Sequence, residues 1–359
     1  MRETIRRSIR HPRGTLDAFM PVGERALLRA VSRGLVVHWV AGNAPLLGML
    51  ALVQSMLARN ANIVKAPASF TATMPAMLDA FRGLNVELPS GRVIHGDDLA
   101  ASAAVVYFDR HNTEASEALS RRADVRIAWG GREAVEAIVH LPKKHTAEDI
   151  VFGPKLSYMA VGREFLNSPR EAVRLARNAA TDVSVFDQYA CASPHTIFVE
   201  SGGGVSPMEF AAFLADEMER AAQRIPKGPV DAATAMTITR QRLQYEFTAD
   251  LWTSKGTEWT VLYDEDSAKG LAPPCYSRVV TVRAVEDILA AAEFAGPGIQ
   301  AVGLAVNGLR RLQFAERAAV LGVERLPDIG RMTFFDDPWD GLFPMDRMVR
   351  WVSLGGPNL

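Results

Sequence analysis

From Gly34 to Leu57 the chain carries no Asp, Glu, Lys or Arg, and few structures accept so long an uncharged run. One is a membrane span, for which the length suffices. The other is a buried strand feeding a buried helix. His38, Asn43 and Gln54 interrupt the run, and Gly42-Asn43-Ala44-Pro45 breaks it in the middle. Residues 35–40 are short and β-rich, and proline is tolerated in the first turn of a helix running from 45 to about 58. Strand, turn and helix therefore explain the stretch, and no membrane span is predicted.

The same alternation continues. Residues 62–65 read as a strand, and Ser69 or Thr73 is placed to cap a helix reaching about residue 82. β-leaning runs follow at 92–95, 103–108 and 124–129, then a helical pattern at 132–139. Strands alternating with helices predict an α/β fold with a parallel sheet covered on both faces. A second cycle begins after about residue 150. Its strands are expected near 155–161, 196–199, 259–263, 277–283 and 302–306, and its helices near 169–179, 207–224, 230–250, 285–294 and 309–321. Residues 1–30 look helical, with Phe19, Leu27, Leu28 and Val31 among arginines. Residues 348–352 alternate as an exposed edge strand would, which invites pairing with another chain or domain and predicts a homo-oligomer. The expected domains are 1–154, 155–330 and a C-terminal segment 331–359.

Charge excludes some functions. Forty basic residues face 41 acidic ones in 359, a net charge of −1, which supports neither nucleic-acid binding nor a polybasic membrane patch. Cys191 and Cys275 are the two cysteines; no disulfide framework is expected, and a cytoplasmic setting is favoured. No Cys/His cluster has zinc spacing, so no metal is predicted. The basic N-terminus lacks the apolar region and cleavage site of a secretory signal.

The chemistry concentrates at Phe186-Asp187-Gln188-Tyr189-Ala190-Cys191-Ala192-Ser193-Pro194, just before the β-rich 196–199. A thiol at the mouth of a strand, between two alanines, is open to attack a carbonyl, with the thiolate as nucleophile. A small buried apolar residue is the other reading of the same cysteine. Cys275, between Pro274 and Tyr276, reads as structural, and His38 and His195 as interior or strand-end histidines.

Together these pieces resemble the aldehyde dehydrogenase superfamily, and within it the LuxC-type acyl-CoA reductases, over roughly residues 20–355. Gly42-Asn43-Ala44-Pro45 is similar to the superfamily's Asn-x-Pro turn, and Asn62-Ile63-Val64-Lys65 to its lysine-ended strand. Ala128-Trp129-Gly130-Gly131-Arg132 is similar to its glycine turn, Phe152-Gly153-Pro154-Lys155 to its Leu-Gly-Gly-Lys segment, and the Cys191 loop to its nucleophile loop. Asp328-Ile329-Gly330-Arg331, Trp339-Asp340-Gly341 and Met348-Val349-Arg350-Trp351-Val352 resemble the LuxC-type tail in particular.

The resemblance implies a Rossmann-type cofactor domain, binding by a variant turn since Gly-x-Gly-x-x-Gly is absent, and an α/β catalytic domain. It implies Cys191 as nucleophile, the Asn43 amide facing the oxyanion, and Lys65, Ser69, Gly130, Gly131 and Arg132 around the cofactor. Val151 stands where hydrolytic relatives carry a glutamate that activates water, and Glu148 and Asp149 are the nearby acidic substitutes. Ala66, Pro67, Ala68 and Ser69 stand where NAD-preferring members place a glutamate on the ribose, which favours NADPH over NADH. The implied reaction is reduction of an acyl thioester, acyl-CoA or acyl carrier protein, to an aldehyde through an acyl-cysteine, with an acyl-activating enzyme as partner. The rival readings are a hydrolytic NAD-linked aldehyde dehydrogenase and a non-catalytic acyl-binding subunit.

Overall fold

A computed structural model describes residues 14–23, 25–42, 45–88, 91, 93–246, 250–335 and 338–355. The chain divides into two compact units, one taking the residues up to Pro154 and those after Phe335, the other Lys155–Phe335.

The strands of the first unit are β1 (Met20–Pro21), β2 (Ala26–Ser32), β3 (Leu35–Trp39), β4 (Ala61–Lys65), β5 (Asn85–Glu87), β6 (Val93–His95), β7 (Ala103–Val106), β8 (Val125–Trp129) and β9 (Glu148–Phe152). Five of them form a sheet in the order β7-β4-β3-β8-β9, every neighbouring pair parallel. Counted within the sheet this is 3-2-1-4-5, so the winding reverses between β3 and β8. Open parallel sheets bind ligands at the carboxyl ends of the strands beside such a reversal.

The uncharged run is β3 followed by the helix Pro45–Leu57, and among the described residues no helix is long and apolar enough to cross a membrane. Met49, Leu52 and Met56 of that helix pack with Val40, Val64, Met74 and Leu78. Each such side chain taken out of water contributes about 1.5–3 kcal/mol, which is why this stretch is poor in charge.

Several boundaries depart from expectation. Residues 14–23 and 25–30 are not helical: after a turn, β2 pairs antiparallel with β1 and with the strand Val349–Gly355 from the far end of the chain. That pairing overrides the local helical pattern; residues 1–13 lie outside the described residues. The helix after Ser69 runs only from Thr73 to Asp79, with Ala72 at its N-cap and no side-chain cap, because Ala68–Phe70 is a separate 3-10 turn. The strand β9 was not legible because two acids open it. Both are neutralised: Glu148 by Arg33 and Arg347, Asp149 by Arg126 and Lys143.

The second unit carries β10 (Leu156–Val161), β11 (Pro194–Glu200), β12 (Asp250–Thr253), β13 (Thr260–Asp264), β14 (Val279–Val285) and β15 (Ile299–Ala305), and the last strand among the described residues is β16 (Val349–Gly355) of the first unit. Six strands form one sheet in the order β12-β13-β14-β11-β10-β15, parallel except for β12. The helices Pro169–Ser184 and Pro207–Arg224 cover one face, burying Leu175, Ala179, Phe210 and Leu214 against Ile197, Val199 and Val280. Ser168 caps the first helix, and a capping box of Ser206 and Glu209 starts the second. Ile288, Phe314 and Ala318 cover the other face over Tyr158 and Phe198. Both faces being covered, β11, β13 and β15 are buried at every position, the near-continuous apolar pattern of parallel strands. Residues 288–294 form a 3-10 helix instead of the expected α-helix.

Candidate active site

Cys191 lies in the turn between the helix Pro169–Ser184 and the amino end of β11, half-buried rather than sealed in the core. Its carbonyl accepts a 2.7 Å hydrogen bond from Ser157 Oγ, and that hydroxyl also accepts from Ala301 N at 3.2 Å. Ser193 N closes the turn on Ala190 O at 2.9 Å.

The chain reaches Cys191 through an unusual backbone. Phe186, Asp187 and Gln188 all have positive φ (56°, 49° and 66°), and so do Tyr276, Ser277 and Arg278 (56°, 57° and 64°). Left-handed conformations are costly for residues with a Cβ and persist where the surroundings over-determine them. Gln188 supplies part of that restraint. Its buried amide donates to Pro194 O and Val279 O at 2.8 Å each and accepts from Val279 N at 2.9 Å. Tyr189 stacks on Tyr276 with ring centroids 5.4 Å apart, and His195 meets Tyr276 edge-on at 5.1 Å.

His195 is buried, which lowers its pKa to about 4, and its Nδ1 has no hydrogen-bond partner; it is neutral at physiological pH. Cys275 is buried beside Ile238, Leu262 and Val279, and that burial raises its pKa. A thiol so placed is inert, which separates the two cysteines by environment.

In the first unit, Lys65 ends β4, and register places it across from Trp39, itself across from Ala128 of β8. Three neighbouring strands thus end level. The Lys65 ammonium is part-buried, its pKa lowered by desolvation and partly restored by Asp109, and it lies 5.5 Å from the centroid of the Phe108 ring. Ser69 Oγ donates to Gly42 O at 3.4 Å, which ties the turn after β4 to the turn after β3. Gly130 follows β8 and donates its N–H to Phe152 O at 3.2 Å. A Cβ on Gly130 would stand 3.1 Å from Ala134 Cβ, so the glycine permits a close turn there. Gly131 is the N-cap of the helix Arg132–Val139 and makes no side-chain cap; a Cβ on it would meet nothing within 4 Å. Arg132, the first helical residue, is exposed.

Lys65, Ser69, Gly130 and Gly131 therefore gather at the carboxyl edge of one parallel sheet, on both sides of its reversal. Cys191 belongs to the second unit, and Asn43 lies outside the described residues. Val151 sits on β9 opposite Ala128. Neither acidic neighbour of Val151 is available as a base. Glu148 is held by arginines, and the carboxylate of Asp149, despite partial burial, is held below the usual range by its bonds to Arg126 and Lys143.

Residues unremarked in the sequence also shape the site. Asp187 anchors the Cys191 loop to Arg278 and Gly228. Asp182, buried near the end of the helix leading into that loop, accepts backbone N–H bonds from Gly330 at 2.6 Å and Met332 at 3.2 Å. The Asp328-Ile329-Gly330-Arg331 motif thus has a structural role, since Gly330 has φ 97° and its N–H meets a buried carboxylate. Asp340 and Gly341, both at positive φ, form a two-residue turn closed by paired hydrogen bonds between Trp339 and Leu342 at 2.8 and 2.9 Å, the primed geometry Asp-Gly favours.

Comparison with known proteins agrees with this architecture. A long-chain acyl-protein thioester reductase of Aliivibrio fischeri is 28% identical over 345 residues, covering 94% of this chain and 67% of the relative. An oxidoreductase of Marinobacter aquaeolei superposes with TM-score 0.67 at 13% identity, over 96% of this chain and 75% of that one. Aldehyde dehydrogenase 21 of Physcomitrella patens does so with TM-score 0.65 at 13% identity, over 93% and 71%. The fold is that of the aldehyde dehydrogenases. The family described as acyl-CoA reductase (LuxC) matches residues 1–351: with a partly exposed cysteine before β11 and a 3-2-1-4-5 sheet, the chain belongs to the LuxC acyl-CoA reductases.

Proposed function

We propose that the protein reduces an acyl thioester, carried on CoA or on a protein, to an aldehyde, with Cys191 as the acyl acceptor. The observation that carries this reading is the setting of Cys191: half-exposed, on a loop locked by the Gln188 amide, at the mouth of a buried strand. The thiolate attacks the thioester carbonyl, the carbonyl π electrons move to oxygen, and collapse expels the carrier thiolate, leaving an acyl-cysteine. The Cys191 backbone N–H and the Asn43 amide are the oxyanion donors in this scheme; losing one such donor costs about 3–4 kcal/mol of barrier.

NADPH is the cofactor of this reading, with NADH second. Lys65, Ser69, Gly130, Gly131 and Arg132 suit a dinucleotide, because the sheet edge offers a part-buried cation, a hydroxyl and an uncapped turn without side chains at its glycines. Those residues would hold the dinucleotide, and a reduced nicotinamide would supply the hydride by which an acyl-cysteine becomes aldehyde and thiolate. No carboxylate follows Lys65 in the chain before Ser69, so the residues directly after Lys65 bring no like charge to a 2′-phosphate paired with its ammonium; Asp109 is the carboxylate that acts on that ammonium from farther along the chain. The A. fischeri relative is named for an acyl-protein substrate, which favours a carrier that is itself a protein and a partner enzyme that loads it.

Water is not efficiently recruited. Valine at 151 takes no proton, and Glu148 and Asp149 are bound in ion pairs, so the hydrolytic reading has no base in this segment. The test is NADPH oxidation dependent on acyl thioester, scanned over chain length. Cys191→Ala should lose it by at least about a thousandfold, and near wild-type turnover in that variant would refute the proposal.

A further inference from the structure

The two left-handed runs, 186–188 and 276–278, are fastened to each other by one carboxylate. Asp187 Oδ1 accepts from Arg278 Nε at 2.8 Å, Oδ2 accepts from Gly228 N at 2.9 Å, and the Asp187 carbonyl accepts from Ser277 N at 3.0 Å. Arg278 is 1% exposed and spends Nη1 on Ile225 O at 2.9 Å. Lys227 Nζ donates to Ser277 O at 2.9 Å, so three separate segments meet on the residues that precede Cys191. Asp187 is four positions before the nucleophile, and its reach across the loop is the ionic counterpart of the Gln188 amide beside it.

A buried guanidinium needs a carboxylate, but nothing in folding requires that carboxylate to sit on a strained loop. Placing it there makes the conformation of the loop depend on the ion pair. We propose that the Asp187–Arg278 pair is a positioning device for Cys191, holding the sulfur in line with the thioester carbonyl; this rests on the reading of Cys191 as acyl acceptor. Asp187 and Arg278 are positioning residues and touch no reacting atom. Misplacement of a nucleophile by about 1 Å costs on the order of a hundredfold in rate, whereas a small electrophile needs no single line of approach to a half-buried thiol.

The experiment compares two rates at Cys191: acylation by an acyl-CoA, followed by intact mass without nicotinamide, and alkylation by iodoacetamide across pH, followed by peptide mass. Asp187→Asn keeps the shape and removes the charge, and should slow acylation by about a hundredfold. Its alkylation rate should stay within about threefold, with an unmoved pH midpoint, since thiol exposure is unchanged. Gly228→Ala is the milder variant. Gly228 is exposed and outside the left-handed region, and its new Cβ would stand 3.2 Å from Asp187 Oδ2. It should shift the carboxylate without unfolding the protein and slow acylation by about tenfold. If Asp187→Asn does not fold, Gly228→Ala decides.

Unchanged acylation in a folded variant would overturn the inference while leaving Cys191 as acceptor. So would a parallel fall in both rates, or a moved pH midpoint, which would make the role structural or electrostatic. A wild-type protein that never acylates Cys191 would remove both the function and this inference.

Discussion

Acidification should loosen the first unit and spare the second, and the reason lies in three buried groups. In the first unit His38 is fully buried. Asn62 Nδ2 donates to Asn60 O at 2.9 Å, which fixes the amide so that Oδ1 faces His38 Nε2 at 3.1 Å. Nε2 therefore carries the hydrogen, and Nδ1 has no partner. Protonating it would create a buried cation with an unanswered N–H, so burial depresses the pKa from 6.5 to about 4. As pH falls below about 6.5 the unfolded chain takes up a proton here and the folded chain does not. Stability is lost at a slope approaching about 1.4 kcal/mol per pH unit, or about 2.2 kcal/mol between pH 6.5 and 4.5 once the partial titration at each end of the window is counted. In the second unit His195 imposes the same slope, its pKa also depressed to about 4. Asp182 opposes it. Burial raises that carboxyl from 3.8 to about 7 despite the Gly330 and Met332 N–H bonds, so it binds a proton in the folded chain first and adds stability as pH falls. The two nearly cancel. Hydrogen exchange at pH 6.5 and 4.5, corrected for intrinsic rates, should show protection in β3, β4 and β8 falling by about fortyfold and protection in β10, β11 and β14 holding. His38→Gln, which keeps a donor for Asn62, should abolish the fall. Equal loss in both units, or an unchanged slope in His38→Gln, would refute the reasoning.

Gly330→Ala should destabilise the second unit by about 2–4 kcal/mol, read as a shift of the denaturation midpoint. It places a Cβ 3.0 Å from Asn178 Cβ at a left-handed φ and disturbs the hydrogen bond from Gly330 N–H to the buried Asp182 carboxyl; a change below about 0.5 kcal/mol would contradict the role given to that motif. Lys65→Ala should raise the KM for NADPH by about tenfold or more and that for NADH much less, since a charged hydrogen bond to phosphate contributes about 1.5–3 kcal/mol. Equal effects on both would remove the 2′-phosphate from the argument for Lys65.

The α/β alternation was legible because parallel strands buried on two faces must be apolar and short, and residues 35–40, 62–65 and 124–129 met that demand. The helix 132–139 was legible from its own apolar spacing behind two glycines. What stayed hidden depended on distant partners. β2 looked helical because its pairing with β16 is invisible locally, and β9 gave no strand pattern because two acids open it and the arginines that neutralise Glu148, Arg33 and Arg347, are remote in sequence. In the candidate site, the turn that carries Cys191 and the strand after it were legible from small neighbours and a β-rich run. Arg278 was not: its partner lies 91 positions away, and nothing about Tyr276-Ser277-Arg278 announces three left-handed residues. Gly330 resembled a family motif, but what it does, presenting an N–H to the buried Asp182, emerged only once the helix Pro169–Ser184 and the tail of the second unit were packed together.

The most direct measurement is the mass of the protein after mixing with an acyl thioester in the absence of nicotinamide, then after NADPH is added. One acyl group should appear on Cys191 and none on Cys275, persist without nicotinamide, and leave as aldehyde with the thiol mass restored when NADPH arrives. An adduct confined to another residue, one released as free acid by water alone, or one indifferent to NADPH would contradict a cysteine that accepts acyl groups for reduction.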